Sequence, residues 1–168
     1  IDGVAWVEAA AIRDPAQLPN AVARALRASL DGAGSAEHRL ATLLSTKSLL
    51  LLLDNCEHLL EAAVALVRTL QRSAPGVHIL VTSQEALRLA DERVFMLPPL
   101  TLPGAADLPD ERFSALRLFA ERARAADRRF VLDASTGEAV ADICRQLDGL
   151  PLAIELAAAR VELLGVQG

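Results

Sequence analysis

Two short apolar runs, each ending in polar residues, dominate the hydrophobic pattern of this chain. The first run is five consecutive leucines, residues 49–53, and it leads directly into Asp54. An unbroken run of this length is typical of a strand covered on both faces, as in a parallel sheet, although leucine also forms helices. Asp54 and Asn55 are good helix N-caps, and apolar residues recur at helical spacing after them. The pattern therefore predicts a buried strand that ends at Asp54 and is followed by a helix.

The same alternation of strands and helices extends along the first part of the chain. A second apolar run, residues 77–82, predicts another buried strand, and Thr82, Ser83 and Gln84 lie at its end. The other predicted elements are strands at residues 1–8 and 94–97, helices that start at Asp14 and Ser35, a helix over residues 57–71 and a short helix over residues 85–89. This order predicts an α/β fold, a parallel sheet with flanking helices.

A cluster of prolines separates this part from the rest of the chain. Four of the eight prolines lie between residues 98 and 109 and indicate a linker. Beyond it the pattern predicts only helices: one over residues 110–126, one opened by a capping box from Ser135 to Glu138, and one that starts at Pro151 after Gly149. We therefore predict two domains, an α/β core over residues 1–98 and a small helical bundle over residues 99–168.

Charge and composition narrow the expected partners. The net charge is −5 and no basic stretch is present, so direct contact with nucleic acid is not expected. No apolar run has transmembrane length, and the sequence shows no signal-peptide pattern, so no membrane contact is expected either. The two cysteines, Cys56 and Cys144, fall inside predicted helices, which fits a reducing compartment better than a disulfide framework. We therefore expect a cytoplasmic location.

Three motifs occur in an order and spacing that resemble a known family. Residues 49–54 resemble a Walker B strand, residues 79–88 resemble a sensor-1 strand with its following turn, and residues 149–158 resemble the GLPL motif. Together they are similar to the STAND-class, NB-ARC-like P-loop NTPase domains of bacterial LuxR- and SARP/AfsR-type transcriptional regulators. The resemblance implies signal transduction by a switch, in which ATP or ADP sets the packing of the helical subdomain on the α/β core. That switch would control oligomerisation and a DNA-binding domain elsewhere in the parent protein.

The resemblance also assigns roles to polar residues at the strand ends. Open α/β sheets bind their ligands beyond the carboxyl ends of the strands. Asp54 matches the acid that holds the Mg²⁺ between the terminal phosphates, and simple helix capping is the alternative. Thr82, Ser83 and Gln84 match positions that face the phosphates. Relatives usually carry an arginine where this chain has Gln84, and glutamine brings no positive charge to phosphoryl transfer.

Two further residues each have one functional and one structural interpretation. Glu57 is the nearest candidate for a catalytic acid that polarises the attacking water, because Asn55 cannot act as a base. A carboxylate in the first turn of a helix is also explained by the helix dipole. Pro151 matches the GLPL proline that packs near the adenine, and it equally suits the first turn of a helix.

The chain has no Walker A motif. Its single lysine, Lys47, follows Thr46 rather than a glycine and precedes a strand. Without that glycine-rich turn the phosphates lose their main cradle, so we expect the chain alone to bind nucleotide poorly and to hydrolyse nothing. In family terms the P-loop strand lies upstream of Ile1, and its absence leaves an open slot beside residues 77–82. Three alternatives follow for this slot. Residues 94–97 pair there, another copy of the chain fills it, or the missing P-loop strand belongs to a longer parent protein.

These observations lead to one predicted function and one alternative. The prediction is a segment of an ATP/ADP-dependent regulatory switch, an ATPase only in the intact parent protein, whose partners are the other domains of that regulator and a further copy of the chain. The alternative is a degenerate, non-enzymatic scaffold with the same fold that serves protein interaction or oligomerisation. Gln84, the Asn55 beside Asp54 and the missing P-loop favour the alternative.

Overall fold

Three parallel strands form one sheet in the first part of the chain. The computed structural model describes residues 2–104 and 106–166, so Ile1, where a strand is predicted to begin, lies outside the described residues. The strands are β1 (Gly3–Glu8), β2 (Leu49–Asp54) and β3 (Val77–Val81), in the order β1-β2-β3. Val7 lies opposite Leu53, and Leu53 lies opposite Val81, so all three strands end at the same edge. The predicted α/β fold with a parallel sheet and flanking helices is confirmed.

Three helices pack against this sheet, and local capping explains where two of the helical segments begin. The helices are α1 (Leu18–Ala25), α2 (Ala36–Leu44) and α3 (Leu60–Ser73), with 3₁₀ turns at Ala9–Ala11, Pro15–Gln17 and Glu57–Leu59. Asp14 Oδ1 accepts a hydrogen bond from the N–H of Ala16 at 3.0 Å and starts the turn that leads into α1. Ser35 Oγ accepts one from the N–H of His38 at 3.2 Å and caps α2.

Within the described residues, the helices cover only one face of the sheet. Ala5, Val7, Leu51 and Leu53 point to that face and form one buried core with side chains of α1, α2 and α3. The opposite face is exposed or half-exposed, and it carries Val4, Trp6, Leu50, Leu52, His78 and Leu80. The expectation that the leucine strand is covered on both faces is therefore wrong. Because both faces of β2 carry leucine, its sequence does not reveal that the helices lie on one side.

The predicted helix at residues 85–89 is replaced by a loop. Arg88 adopts a φ of 57°, which is outside the helical region for a non-glycine residue. The carboxylate of Glu92 accepts hydrogen bonds from the N–H of Leu87 at 3.0 Å and of Leu89 at 3.2 Å. These bonds satisfy backbone donors that a helix would otherwise use, and they fix the loop in a non-helical path.

The predicted strand at residues 94–97 is also absent. This segment has no regular secondary structure, and the sheet ends at β3. The expectation that residues 94–97 pair with β3 of the same copy is therefore wrong. Apolar residues with strand propensity form a strand only where a neighbouring strand is available, and propensity does not supply that neighbour.

From Phe95 onward the chain forms a second compact unit, and the first unit ends at Val94. The helices of the second unit are α4 (Ser114–Ala126), α5 (Gly137–Gln146), α6 (Pro151–Ala158) and α7 (Val161–Leu164). Its core surrounds Phe119, whose ring centroid lies 6.1 Å from that of Phe130. None of the described helices in either unit is both long enough and apolar enough to cross a membrane.

The ends of α5 depend on one aspartate and one glycine. The predicted capping box at Ser135 does not form; instead Asp133 Oδ1 accepts hydrogen bonds from the N–H of Ser135 at 2.8 Å and of Thr136 at 3.2 Å. The Ser135 hydroxyl donates to the same Asp133 oxygen at 2.6 Å, so it does not accept from the backbone of α5 as a capping box requires. After α5 the chain turns at Gly149, which has a φ of 66°. A Cβ at that position would lie 2.5 Å from the carbonyl oxygen of Leu100.

Candidate functional site at the carboxyl edge of the sheet

The ends of β2 and β3 bring two predicted site residues into direct contact. Asp54 is the last residue of β2, and Thr82 directly follows β3. The Thr82 hydroxyl donates a hydrogen bond to Asp54 Oδ1. The backbone supports this contact, because the N–H of Thr82 donates to the carbonyl of Leu53 at 2.9 Å and the carbonyl of Thr82 accepts from the N–H of Cys56 at 3.0 Å. The parallel register thus holds a carboxylate and a hydroxyl side by side at the sheet edge.

Asn55 joins Glu57 to this pair, and its role was not predicted from the sequence. Asn55 has a φ of 61°, a left-handed conformation that asparagine tolerates better than most residues. Its N–H donates to Thr82 Oγ1 at 3.0 Å, and its side-chain amide donates to Glu57 Oε1 at 3.2 Å. The signal in the sequence was an asparagine placed directly after a strand, where the chain must turn sharply. Asp54, Asn55, Glu57 and Thr82 therefore form one hydrogen-bonded group.

The geometry decides against helix capping by Asp54. The carboxylate of Asp54 accepts from the Thr82 hydroxyl, and the 3₁₀ turn that follows starts after Cys56 without a side-chain cap. The polar end of this strand is thus directed across the sheet edge towards β3. A carboxylate held in this way by a neighbouring strand has one oxygen fixed by the hydroxyl and a second oxygen that can accept a further ligand.

Cys56 lies behind this group as a buried, protonated thiol. Burial, together with the negative charges of Glu57 and Asp54, raises its pKa to about 11. A thiol with such a pKa is not a nucleophile at neutral pH. His58, two residues further on, places Nε2 at 3.1 Å from the carbonyl oxygen of Ile12, so that ring nitrogen is already engaged.

The other predicted site residues lie outside this hydrogen-bonded group. Ser83 Oγ accepts from the N–H of Glu85 at 3.1 Å and shapes the local turn. Gln84 is exposed in the same turn. Pro151 is exposed at the first turn of α6, in the second unit, which is the helix-starting position of its alternative assignment.

The residues at the sheet edge fit Mg²⁺ as a partner of a bound phosphate but do not form a metal site by themselves. Among residues 2–104 and 106–166, no three His, Cys, Asp or Glu side chains converge on a point that could hold a metal ion. Mg²⁺ is commonly held by one or two carboxylates together with waters and substrate phosphates, so one oriented carboxylate meets its requirement. The sequence supplies no glycine-rich cradle for the phosphates.

Comparison with known proteins identifies longer relatives from mycobacteria. A protein named "Putative HTH-type transcriptional regulator" from Mycobacterium tuberculosis is 38% identical over 160 residues, which cover 95% of this chain and 17% of the relative. An uncharacterized protein from the same species is 45% identical over 130 residues, which cover 77% of this chain and 31% of the relative. Mycobacterium bovis has relatives with the same identities and coverage.

The chain thus spans less than a third of the length of each of these relatives. No protein-family model matches the chain, and no solved structure matches it. The alignment with the named regulator extends over nearly the whole chain, so it includes both the sheet and the helical unit. The chain is therefore homologous to one segment of a protein named as an HTH-type transcriptional regulator.

Proposed function

We propose that this chain is a segment of a nucleotide-dependent switch in a bacterial transcriptional regulator. The observation that carries the proposal is the hydrogen bond from Thr82 to Asp54, which orients a carboxylate beyond the carboxyl ends of two neighbouring parallel strands. This is the place where open α/β sheets bind ligands. The homology to a named transcriptional regulator supports a regulatory role.

In this proposal Asp54 holds the Mg²⁺ that accompanies the phosphates of ATP or ADP. Thr82 keeps the carboxylate in position, and Asn55 links the same position to Glu57. The hydroxyl of Ser83 and the amide of Gln84 lie on the same turn and provide uncharged hydrogen-bonding groups towards the phosphates. The part of the site that cradles the phosphates comes from outside these 168 residues.

We further propose that the chain by itself does not hydrolyse nucleotide. Glu57 is the only acid that joins Asp54 in the hydrogen-bonded group, and one of its oxygens accepts from the Asn55 amide. Gln84 brings no positive charge for the transition state. The segment would act inside the cytoplasm, with contact to DNA made by another part of the regulator.

Titration with Mn²⁺–ATP tests the proposed site in the chain itself. Mn²⁺ replaces Mg²⁺ at oxygen ligands and gives an electron paramagnetic resonance signal that detects weak binding. We expect binding in the millimolar range, weakened about tenfold by Asp54→Ala and to a smaller extent by Thr82→Val. Thr82→Ser keeps the hydroxyl and is expected to bind as the unchanged chain does.

Glu61→Ala is the matched control, because Glu61 is an exposed carboxylate on α3 of the same unit. It removes one negative charge without touching the sheet edge. Equal binding by Asp54→Ala and by the unchanged chain would contradict the proposed metal position. Complete absence of binding would favour the second candidate function.

The second candidate is a non-enzymatic interaction scaffold, and α6 provides the observation that favours it. This helix is apolar on its outer face as well as its inner face, because Leu152 and Leu156 are exposed while Ile154 and Ala158 are buried. An exposed apolar stripe of this kind is common where another protein surface binds. A scaffold would bind its partner equally well with and without nucleotide, whereas a switch would not.

A further inference from the structure

The outer edge of β3 lies next to a groove that is lined on one side by the strand itself. In the described residues β3 has a strand neighbour on one side only, so its other side leaves backbone N–H and C=O groups without strand partners. A groove of about 420 Å³ runs along this side. Its lining combines the strand itself, residues 77–81, with Val67 and Gln71 of α3 and with the loop from Leu87 to Arg93.

The strand at this edge lacks two residue types by which proteins commonly protect an unpaired strand. The sequence of β3 is Val-His-Ile-Leu-Val, without proline and without a lysine that points outward. Leu87 and Leu89 add apolar surface to the groove, and the charged residues Asp91, Glu92 and Arg93 lie along one part of its lining. The free backbone groups of β3 therefore suit an extended segment that adds to the sheet, with apolar side chains that pack against Leu87 and Leu89.

The same chain carries a segment of that chemistry. Residues 94–97 read Val-Phe-Met-Leu, are not part of any helix or strand, and end at two consecutive prolines. Their side chains are exposed by 56%, 83%, 81% and 85%. Four consecutive exposed apolar residues with strand propensity are unusual on a protein surface and indicate a segment that binds elsewhere.

In the described residues this segment does not pair with β3 of its own copy. Glu92 accepts hydrogen bonds from the backbone of Leu87 and Leu89 and so fixes the loop that lines the groove. A second copy can supply the segment instead. Each copy offers one groove and one donor segment, so two copies can exchange segments and close as a dimer with two-fold symmetry.

We propose that two copies of this chain associate by exchange of residues 94–97, each segment adding as an edge strand to β3 of the other copy. This inference concerns assembly and is independent of nucleotide binding at Asp54. It also explains why a segment with the pattern of a strand forms none within a single copy.

Sedimentation equilibrium and light scattering on the 168-residue chain test the proposal. We expect a dimer whose dissociation constant rises at least tenfold in the double variant Phe95→Asp with Met96→Asp. Both side chains are exposed, so these substitutions leave the two cores intact, and circular dichroism checks that they do. Leu163→Asp is the matched control, because Leu163 on α7 is also 83% exposed and lies outside the proposed interface.

A cross-linking experiment identifies the contact itself. One preparation carries His78→Cys on β3 and another carries Phe95→Cys; the native Cys56 and Cys144 are buried and do not interfere. After mixing and mild oxidation we expect a disulfide-linked heterodimer that neither preparation gives alone in comparable yield. A chain that stays monomeric at all concentrations would overturn the proposal. A dimer that tolerates the double variant but is lost with Trp6→Asp would overturn it as well, because it would place the contact on the open face of the sheet.

Discussion

The two units of the molecule differ in how many of their charged side chains form ion pairs. In the first unit, the polar groups at the sheet edge are linked to one another by hydrogen bonds, as in the set Asp54, Asn55 and Thr82. Among the described residues, its one ion pair is Lys47 with Asp2 at 3.9 Å. The second unit contains six of the seven ion pairs found in the described residues, including Arg122 with Glu155 and Arg145 with both Glu138 and Asp142.

This difference distinguishes carboxylates whose charge is available to a ligand from carboxylates whose charge is already compensated by arginine. A carboxylate that is oriented by a hydroxyl keeps its negative charge available for a cation. A carboxylate paired with arginine has its charge compensated, and exposed pairs of that kind contribute little to stability. This difference agrees with the proposed position of the ligand at Asp54, in the first unit.

Truncation of the two cores gives the largest expected effects and tests whether the units unfold separately. Leu51 and Phe119 are fully buried at the centres of the first and second cores. We expect Leu51→Ala to lower the free energy of unfolding of the first unit by about 2–5 kcal/mol and Phe119→Ala to lower that of the second by about 3–5 kcal/mol. Hydrogen exchange resolved by peptide mass spectrometry reports each unit separately.

We expect each substitution to accelerate exchange mainly in its own unit, and Leu163→Ala on exposed α7 to change neither. Equal acceleration of exchange in both units by Leu51→Ala alone would show that the chain unfolds as one cooperative body. The distinction between the two units would then apply to their surface chemistry and not to their stability.

An intermediate effect is expected where the second unit turns after α5. Gly149 combines a φ of 66° with a backbone neighbour at 2.5 Å from any added Cβ. We expect Gly149→Ala to destabilise the second unit by about 2 kcal/mol, because an alanine there is strained and must displace the Leu100 carbonyl. Chemical denaturation followed by circular dichroism measures the change.

Gly165→Ala separates the two causes. Gly165 has a φ of 68°, close to that of Gly149, but no atom lies within 4 Å of an added Cβ. Its ψ of −172° completes a backbone conformation that is essentially restricted to glycine, so Gly165→Ala measures backbone strain without a close neighbour. A greater loss of stability in Gly149→Ala would show that the close approach to Leu100 adds to the strain, and a smaller loss would contradict that role.

Much of the first unit could be predicted from its sequence because local signals and global packing agree there. The leucine run followed by Asp54 gave the strand, and the Asp14 and Ser35 caps gave the helix starts that the structure shows. The errors occurred where a tertiary partner decides the outcome. Residues 94–97 have strand propensity but no adjacent strand, and the Glu92 carboxylate takes the backbone donors that a helix near Arg88 would need.

Part of the membership of the candidate site was predictable from the sequence, but its bonding was not. Asp54 and Thr82 could be named because each follows an apolar run, and parallel strands end at one edge. The hydrogen bond between them depends on the register of β2 against β3, which no single run specifies. The φ of Asn55 depends likewise on the turn that follows β2, so its link to Glu57 became visible only in the structure.

The smallest expected effect concerns acid pH, and it sharpens the contrast between the units. Hydrogen bonds hold the pKa of three aspartates of the second unit, Asp110, Asp127 and Asp133, below the ordinary range, and in the first unit they do the same for Asp2. For Asp133 the donors are the hydroxyl and N–H of Ser135 and the N–H of Thr136. A lowered pKa in the folded state means that the unfolded chain binds more protons, so stability is lost as the pH falls.

The loss should start near the ordinary aspartate pKa of about 3.9 and continue below it, and it should leave neutral pH unaffected. Asp133→Asn removes the titrating group while retaining an oxygen that can accept the same bonds. We therefore expect the melting temperature of this variant to fall less steeply than that of the unchanged chain between pH 5 and pH 3, with the range set by that pKa of about 3.9. Glu61→Gln, an exposed substitution on α3, should leave the slope unchanged. An identical slope in Asp133→Asn would mean that α5 starts without help from the charge of Asp133. Asp133 would then fix the start of α5 through the geometry of its hydrogen bonds, without a contribution from its charge.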